Sequence, residues 1–202
     1  MEYISTRNKK KNFSFKDIFL KGLAPDGGLF IPKKIKKYSR SELKKMAKLN
    51  YIDLATKIVS EFCGNDLQEK ELKNIIKKSY SSFSKNPLLK NFIPIEDTDI
   101  FDDNDHSLDA NISIAELYHG PTSSFKDFAM QPIGNIYEHF LKADNKKINI
   151  IVATSGDTGA AAIAALKDKS NINLFVLYPD NKISNIQRKL MTTVDSRNVF
   201  NI

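Results

Sequence analysis

The feature of this 202-residue sequence that most limits its fold is an alternation of strand and helix patterns in its second half. Ile148–Ala153 has the apolar pattern of a buried strand, and an alanine-rich helical pattern over Thr158–Leu166 follows it. Asn173–Tyr178 and Asn185–Met191 repeat that order. Strands joined by helical crossovers pair in parallel. The sequence therefore predicts an α/β fold with a parallel βαβ sheet.

Upstream of these repeats, Ile112–Leu117 is predicted as a strand and about Ser124 to Leu141 as a helix that Pro132 interrupts or bends. The N-terminal part has apolar residues at helical spacing, with Met1–Arg7 as a possible short strand. The predicted N-terminal helices are Ser14–Lys21, Ser41–Leu49, Tyr51–Cys63 and one opened by a capping box of Asp66 and Glu69. A small, mainly helical domain is thus expected before the sheet.

Charge divides the chain at a similar place. Residues 1–95 contain 21 Lys and Arg against 9 Asp and Glu, whereas residues 96–202 contain 10 against 15. We therefore predict two domains, 1–95 and 96–202. The basic half also raises the alternative of a nucleic-acid surface. Its lysines are spread along the chain without an arginine cluster, zinc spacing or aromatic RNA-binding motif, so a solvated surface and no nucleic-acid partner are favoured.

Other functional classes find little support. The one cysteine, Cys63, excludes an internal disulfide and fits a cytoplasmic protein. No apolar run approaches 18 residues, and the N-terminus lacks the apolar core of a signal peptide, so no membrane segment is predicted. Asp97–Asp109 is acidic but lacks the glycine and final glutamate of a calcium loop, so no metal site is predicted.

The first candidate site lies in Glu116–Met130, where Lys126 stands between Phe125 and Phe128. Gly120-Pro121 marks a turn, after which the hydroxyl residues at 122–124 could cap a helix whose first turn contains Lys126 and Asp127. A helix start and aromatic walls disfavour the charged ammonium, which suits a lysine that forms a Schiff base. The alternative is that Lys126 is an ordinary surface lysine.

The second candidate site is Thr154–Gly159, which has small and hydroxyl-bearing residues between a strand and a helix. The free N–H groups of a helix N-terminus bind anions. The segment lacks the Gly-Lys-Ser/Thr of a Walker loop and the spacing of a dinucleotide fingerprint. It is either an anion site or a tight turn between strand and helix.

Three segments together resemble one family. His119–Ala129 (HGPTSSFKDFA) resembles the lysine segment of pyridoxal-phosphate (PLP) enzymes of fold type II, and of threonine synthases in particular. Gly22–Leu29 (GLAPDGGL) resembles a segment near the N-terminus of the same family. Ala153–Gly159 (ATSGDTG) resembles its loop facing the cofactor ring, and residues 184–193 continue the likeness. The resemblance covers essentially the whole chain.

The resemblance implies a role for each site residue. Lys126 would hold PLP as an internal aldimine and then act as the base at Cα and Cβ of the substrate. Asp157 would lie near the phenolic oxygen of the cofactor, and Arg188 is a candidate for a phosphate contact unless it is a plain surface residue. His119 would orient the lysine segment or, as we favour, support a turn. The groups implied to bind the substrate carboxylate are Thr154, Ser155, Gly156 and Thr158.

The implied reaction converts O-phospho-L-homoserine and water to L-threonine and phosphate. The family's glycine-rich loop for the cofactor phosphate lies further downstream and has no counterpart here, so activity of these 202 residues by themselves is doubtful. Two alternatives remain: a non-catalytic interaction domain, and another fold type II enzyme such as a serine/threonine dehydratase. The sequence does not predict an oligomeric state.

Overall fold

The computed structural model describes residues 1–84, 92–94 and 113–202. It contains seven helices and seven strands in these residues. Among them, no helix is both long and apolar enough to cross a membrane. In chain order the elements are β1 (Tyr3–Ser5), α1 (Phe15–Lys21), β2 (Phe30–Pro32), α2 (Arg40–Met46), α3 (Tyr51–Cys63), α4 (Glu69–Tyr80), β3 (Phe92–Pro94), β4 (Ser113–Ala115), α5 (Asp127–Ala143), β5 (Ile148–Ala153), α6 (Asp157–Leu166), β6 (Ile172–Leu177), α7 (Asn185–Thr192) and β7 (Val199–Asn201).

The predicted parallel sheet is confirmed. Its three strands lie in the order β5-β6-β7, and α6 and α7 are the crossover helices. The strand predicted at Ile112–Leu117 is shorter, Ser113–Ala115, and lies outside that sheet, because it pairs antiparallel with β3. The predicted acidic loop over Asp97–Asp109 and the boundary near residue 95 lie outside the described residues, so both stay predictions.

The two faces of the parallel sheet differ. Alternate residues of β6 (Ile172, Leu174 and Val176) are fully buried in a core cluster that also contains residues of α5, α6 and α7. On the opposite face, Ile151 is 70% exposed, and Phe175 and Phe200 stack at 4.9 Å between ring centroids. Parallel sheets normally have helices on both faces. In the described part of the chain, this apolar face is open to solvent.

The N-terminal part is mainly helical, as predicted, but it also contains an antiparallel pair of β1 and β2. Between them, the Pro-Asp-Gly-Gly turn is confirmed: Gly27 has φ 74°, and Asp26 Oδ1 accepts hydrogen bonds from Ser5 Oγ (2.7 Å) and Gly28 N (2.9 Å). The Ser5 hydroxyl, and then the Gly28 N–H, lower the pKa of Asp26. Ser14 caps α1, and Gly22 ends it with φ 73°.

The capping box predicted from Asp66 and Glu69 is wrong. Helix α4 begins at Glu69, and its N-cap is Gln68, whose backbone N–H donates to the Glu71 carboxylate at 3.2 Å. The Asp66 carboxylate instead accepts from the backbone N–H of Lys16 at 2.8 Å and so holds the start of α1. The second predicted helix is also shifted, to Arg40–Met46, because Ser39 is its N-cap.

Helix α5 runs through Pro132 without a break, so of the two predicted effects of this proline the interruption is wrong, and the bend stays a prediction. A proline has no N–H, so the carbonyl four residues earlier, that of Phe128, loses its helical partner. The Tyr80 hydroxyl donates to this carbonyl at 2.9 Å. Burial raises the pKa of Tyr80 far above its usual range, so the phenol keeps its proton. A side chain of α4 therefore replaces the hydrogen bond that Pro132 removes.

Two hydrophobic clusters meet along α5. Ile136 and Phe140 belong to the cluster formed with the N-terminal helices. Leu141 belongs to the cluster with α6 and the sheet. A Cβ at Gly134 would lie 2.5 Å from the carbonyl oxygen of Ala165, so this glycine allows α5 and α6 to approach closely. Helix α5 thus packs against both halves of the described chain.

A buried polar network also joins α4, α5 and the α6–β6 turn. Lys169, which is 7% exposed, donates to Asn135 Oδ1 (2.9 Å) and Glu138 Oε2 (3.0 Å). Burial by itself would raise the pKa of Glu138, but the ammonium groups of Lys78, Lys142 and Lys169 outweigh that effect and lower it to about 2. Burial lowers the pKa of Lys169, and the Glu138 carboxylate opposes that shift.

We expect Tyr80→Phe to lower the free energy of unfolding by about 1–2 kcal/mol, because the Phe128 carbonyl loses its donor while staying beside Pro132. In a Pro132→Ala background the same substitution should lower the free energy of unfolding by less, since the new alanine has a backbone N–H that can bond to that carbonyl. Urea unfolding of the four proteins in this cycle measures the difference. Equal losses in both backgrounds would contradict this explanation of the unbroken helix.

The depressed pKa of Glu138 predicts a specific loss of stability in acid. The ordinary value of 4.5 falls to about 2 in the folded protein, so stabilisation is complete above pH 4.5 and is lost as the pH falls towards 2. We expect a loss on the order of 2–3 kcal/mol over that window. In Glu138→Gln this part of the acid dependence should disappear in denaturant titrations at several pH values. An unchanged acid dependence in the variant would be inconsistent with this network.

Candidate active site

The lysine segment is anchored by a buried carboxylate. Asp127 is 0% exposed and accepts two hydrogen bonds of 2.8 Å, from the backbone N–H and the hydroxyl of Thr122. The turn packs tightly on this residue, since a Cβ at Gly120 would clash with the Asp127 side chain. The predicted Gly-Pro turn is therefore present, and it is tied to the first residue of α5.

The predicted cap of α5 is partly wrong. Helix α5 begins at Asp127, and Lys126 is its N-cap residue, with no capping hydrogen bond from its side chain. Of the predicted capping residues, Ser124 accepts from the Lys126 N–H at 3.3 Å, and Ser123 adopts a left-handed φ of 58°. Thr122 binds Asp127, as described above. The side chain of Lys126 is therefore attached to the residue just before the helix.

The amine of Lys126 lies opposite a carboxylate. Its Nζ is 3.8 Å from Oδ2 of Asp157, a distance for charge attraction and too long for a hydrogen bond. The side chain is 30% exposed, so small molecules can reach it. Of the two expected aromatic neighbours, the Phe125 ring lies 5.1 Å from Nζ, whereas the half-buried Phe128 packs against Tyr80 and Phe83. The prediction of aromatic walls on both sides is wrong.

The second predicted segment forms the turn from β5 into α6, which begins at Asp157. Thr154 Oγ1 accepts from the N–H groups of Gly156 and Gly159, both at 3.0 Å. This hydroxyl therefore shapes the turn, and one predicted ligand donor, the Gly156 N–H, is engaged within it. Ser155 and Thr158 are exposed beside Asp157 at the helix N-terminus.

Parallel-sheet topology brings the two predicted segments together. Asp157 follows the carboxyl end of β5, where loops of parallel α/β folds form binding sites. The lysine segment reaches the same place from the start of α5. Of the predicted residues, the structure joins Lys126 with Asp157, and it places Ser155, Gly156 and Thr158 next to Asp157 in the chain.

Arg188 and His119 stand apart from this pair. Arg188 is exposed on α7, and among the described contacts its guanidinium touches neither Lys126 nor Asp157. The His119 ring is buried, and its Nε2 lies 2.6 Å from Oε2 of Glu116. The His119 carbonyl accepts from the backbone N–H of Ser84 at 2.9 Å. These contacts support the structural interpretation of His119.

Sequence reasoning assigned no role to Gln187. Its Nε2 donates to Asp157 Oδ1 at 3.0 Å. A Cβ at Gly156, which has φ 147°, would clash with the Gln187 side-chain amide. The only sequence signal was Ser184 followed three residues later by Gln187, a pattern typical of a helix cap.

The described residues contain neither a cluster of metal ligands nor an accessible thiol. No group of three or more metal-ligating side chains is present among the residues the structure describes. Cys63 is buried, and burial raises the pKa of its thiol to about 12. It is therefore a core residue.

Comparison with known proteins finds threonine synthases similar to this chain. A family model described as "Threonine synthase N terminus" matches residues 2–80. Threonine synthase of Saccharomyces cerevisiae is 40% identical over 98% of this chain, and that of Pseudomonas aeruginosa is 34% identical over all of it. The crystal structure of PLP-bound threonine synthase from Brucella melitensis superposes with a TM-score of 0.86 at 30% identity over the whole chain.

The chain spans about two fifths of the length of these relatives: 38% of the yeast protein and 40% of each of the other two. Both the helical N-terminal part and the parallel sheet take part in the match. Over its whole length the chain is therefore similar to the N-terminal portion of threonine synthases.

Proposed function

We propose that this chain supplies the lysine side of a PLP site, and that it acts in the conversion of O-phospho-L-homoserine and water to L-threonine and phosphate. One observation carries the proposal: the Lys126 amine meets Asp157 at the carboxyl edge of the parallel sheet, beside the N-terminus of α6. The match to a PLP-bound threonine synthase supports the choice of cofactor.

The residues present fit an aldehyde cofactor. Attachment needs a primary amine that is accessible and fixed in place, and Lys126 is 30% exposed on a backbone anchored by Asp127. A PLP site also needs anion contacts, and the N-terminus of α6 offers N–H groups and positive dipole charge near that amine. Both requirements are met by side chains and backbone of this chain.

Each residue then has a defined task. When bound, PLP supplies an electron sink for the negative charge that develops next to the substrate amine. Lys126 first holds the cofactor, and after the substrate takes its place the free amine moves protons at Cα and Cβ. Asp157 faces that amine and attracts it when it is protonated, which keeps it near the reacting carbons.

The turn before α6 would bind the substrate carboxylate. Ser155 and Thr158 offer hydroxyl and N–H groups there, and the absence of a side chain at Gly156 allows close approach to the backbone. Thr154 supports this role indirectly, since its hydroxyl holds the turn in shape. A phosphate contact from Arg188 remains a prediction of the resemblance.

The chain does not supply the whole proposed activity by itself. It spans two fifths of the length of its relatives. The family resemblance implies that the glycine-rich loop for the cofactor phosphate lies further downstream. The open apolar face of the sheet agrees with further polypeptide belonging there. The division into domains 1–95 and 96–202 and a cytoplasmic location also stay proposals, based on charge and on the single cysteine.

We expect the protein, mixed with PLP, to show a new visible absorbance band that Lys126→Ala lacks. Reduction with borohydride should then attach the cofactor to the peptide that contains Lys126, as read by mass spectrometry. Lys182→Ala is the matched control, because Lys182 is an exposed lysine close to α7, and it should keep both signals.

Labelling spread over surface lysines, with Lys126 no more reactive than Lys182, would reject the PLP site. It would favour the alternative of a non-catalytic interaction domain. Phosphate release from O-phosphohomoserine, measured with the missing part of a relative's chain added, tests the reaction itself. Serine or threonine deamination without phosphate release would favour the dehydratase alternative.

A further inference from the structure

We propose that Gln187 is a positioning residue of the lysine site: its side-chain amide holds the Asp157 carboxylate in the orientation that faces Lys126. The geometry by itself carries this inference, and only its relevance to catalysis rests on the proposed function. Gln187 touches no atom that would react, so its effect passes through Asp157.

The positioning residue lies in a chain of hydrogen bonds. The Ser184 hydroxyl donates to Gln187 Oε1 at 3.1 Å, which turns the amide nitrogen towards α6. Gln187 Nε2 then donates to Asp157 Oδ1 at 3.0 Å. The other carboxylate oxygen, Oδ2, faces Lys126 Nζ at 3.8 Å. The two oxygens of Asp157 thus have separate partners on two sides of the site.

Asp157 needs such support because of its exposure. Its side chain is 55% exposed, and an exposed aspartate at the first position of a helix can rotate among several rotamers. Lys126 contacts it only at a distance that does not fix its orientation. The hydrogen bond from Gln187 is the directional contact in the described structure that selects one rotamer.

The backbone of the turn before α6 leaves room for the Gln187 side chain. Gly156 has φ 147°, and a Cβ there would clash with the side-chain amide carbon of Gln187. The amide therefore lies against the bare backbone of residue 156. Any side chain at this position would have to displace it from Asp157.

Capping of α7 does not explain the position of the Gln187 side chain. In a capping box, the glutamine side chain would accept from the backbone N–H of Ser184. Here the cap is made by the Gln187 backbone N–H, which donates to Ser184 Oγ at 3.2 Å. The amide nitrogen of Gln187 is therefore available to bind Asp157 on α6, and it does so.

The test measures the rate at which Lys126 reacts with a small amine reagent, acetic anhydride, at one fixed pH and without cofactor. Among the described residues, Asp157 is the charged group in ion-pair contact with Lys126. Removing its charge in Asp157→Asn should raise the rate of Lys126 acetylation roughly 1.5- to 5-fold, the range expected when an exposed ion pair is lost.

Gln187→Met should raise that rate by a smaller factor, because it keeps the length and bulk of glutamine but has no donor to orient Asp157. In an Asp157→Asn background the same substitution should have no further effect. The Lys182 peptide, read in the same mass spectra, should keep its acetylation rate in every variant and so serves as the internal reference.

A wild-type rate of Lys126 acetylation in Gln187→Met would overturn the proposal and leave packing on Gly156 as the only role of this side chain. An equal change in rate with and without the Asp157 charge would overturn it as well. Borohydride trapping of PLP by the same variants is a separate readout. Failure there with the predicted acetylation rates would reject the cofactor and retain the positioning role.

Discussion

The structure depends most on the packing of helix α5 on both of its sides. Phe140 lies in the core of the N-terminal helices, while its neighbour Leu141 lies in the core beneath the parallel sheet. Such two-sided burial leaves the helix little freedom to shift, because protein interiors are densely packed. The lysine of the proposed site is attached to the first turn of this helix, so its backbone position is set by both cores together.

Polar contacts complete the placement of α5. The Tyr80 hydroxyl donates to the carbonyl that Pro132 leaves without a partner. Asp127 binds the turn that precedes the helix, and Lys169 links the middle of α5 to the α6–β6 turn. Each contact satisfies a polar group that would be costly to bury alone. Stability and site geometry therefore have the same physical source in this part of the molecule.

At the carboxyl edge of the sheet, the site combines elements that are distant in the sequence. Lys126 comes from the start of α5, Asp157 from the start of α6 and Gln187 from the first turn of α7. Their side chains form an arrangement that can hold an amine and orient a neighbouring carboxylate. The proposed PLP site would also need a loop for the cofactor phosphate, which the family resemblance implies further downstream, and the chain spans two fifths of the length of its relatives.

The sequence by itself determined the repeated strand–helix pattern, the Pro-Asp-Gly-Gly turn and the two site segments, because local periodicity, turn residues and motifs express them directly. It did not decide whether Pro132 interrupts its helix, and it misjudged the Asp66–Glu69 pair, since the residues that bond at those two places, Tyr80 and Lys16, are distant in sequence. Only the tertiary structure decided that Lys126 meets Asp157 and that Gln187 supports it. Those contacts join helices 30 or more residues apart, and no local pattern encodes such a separation.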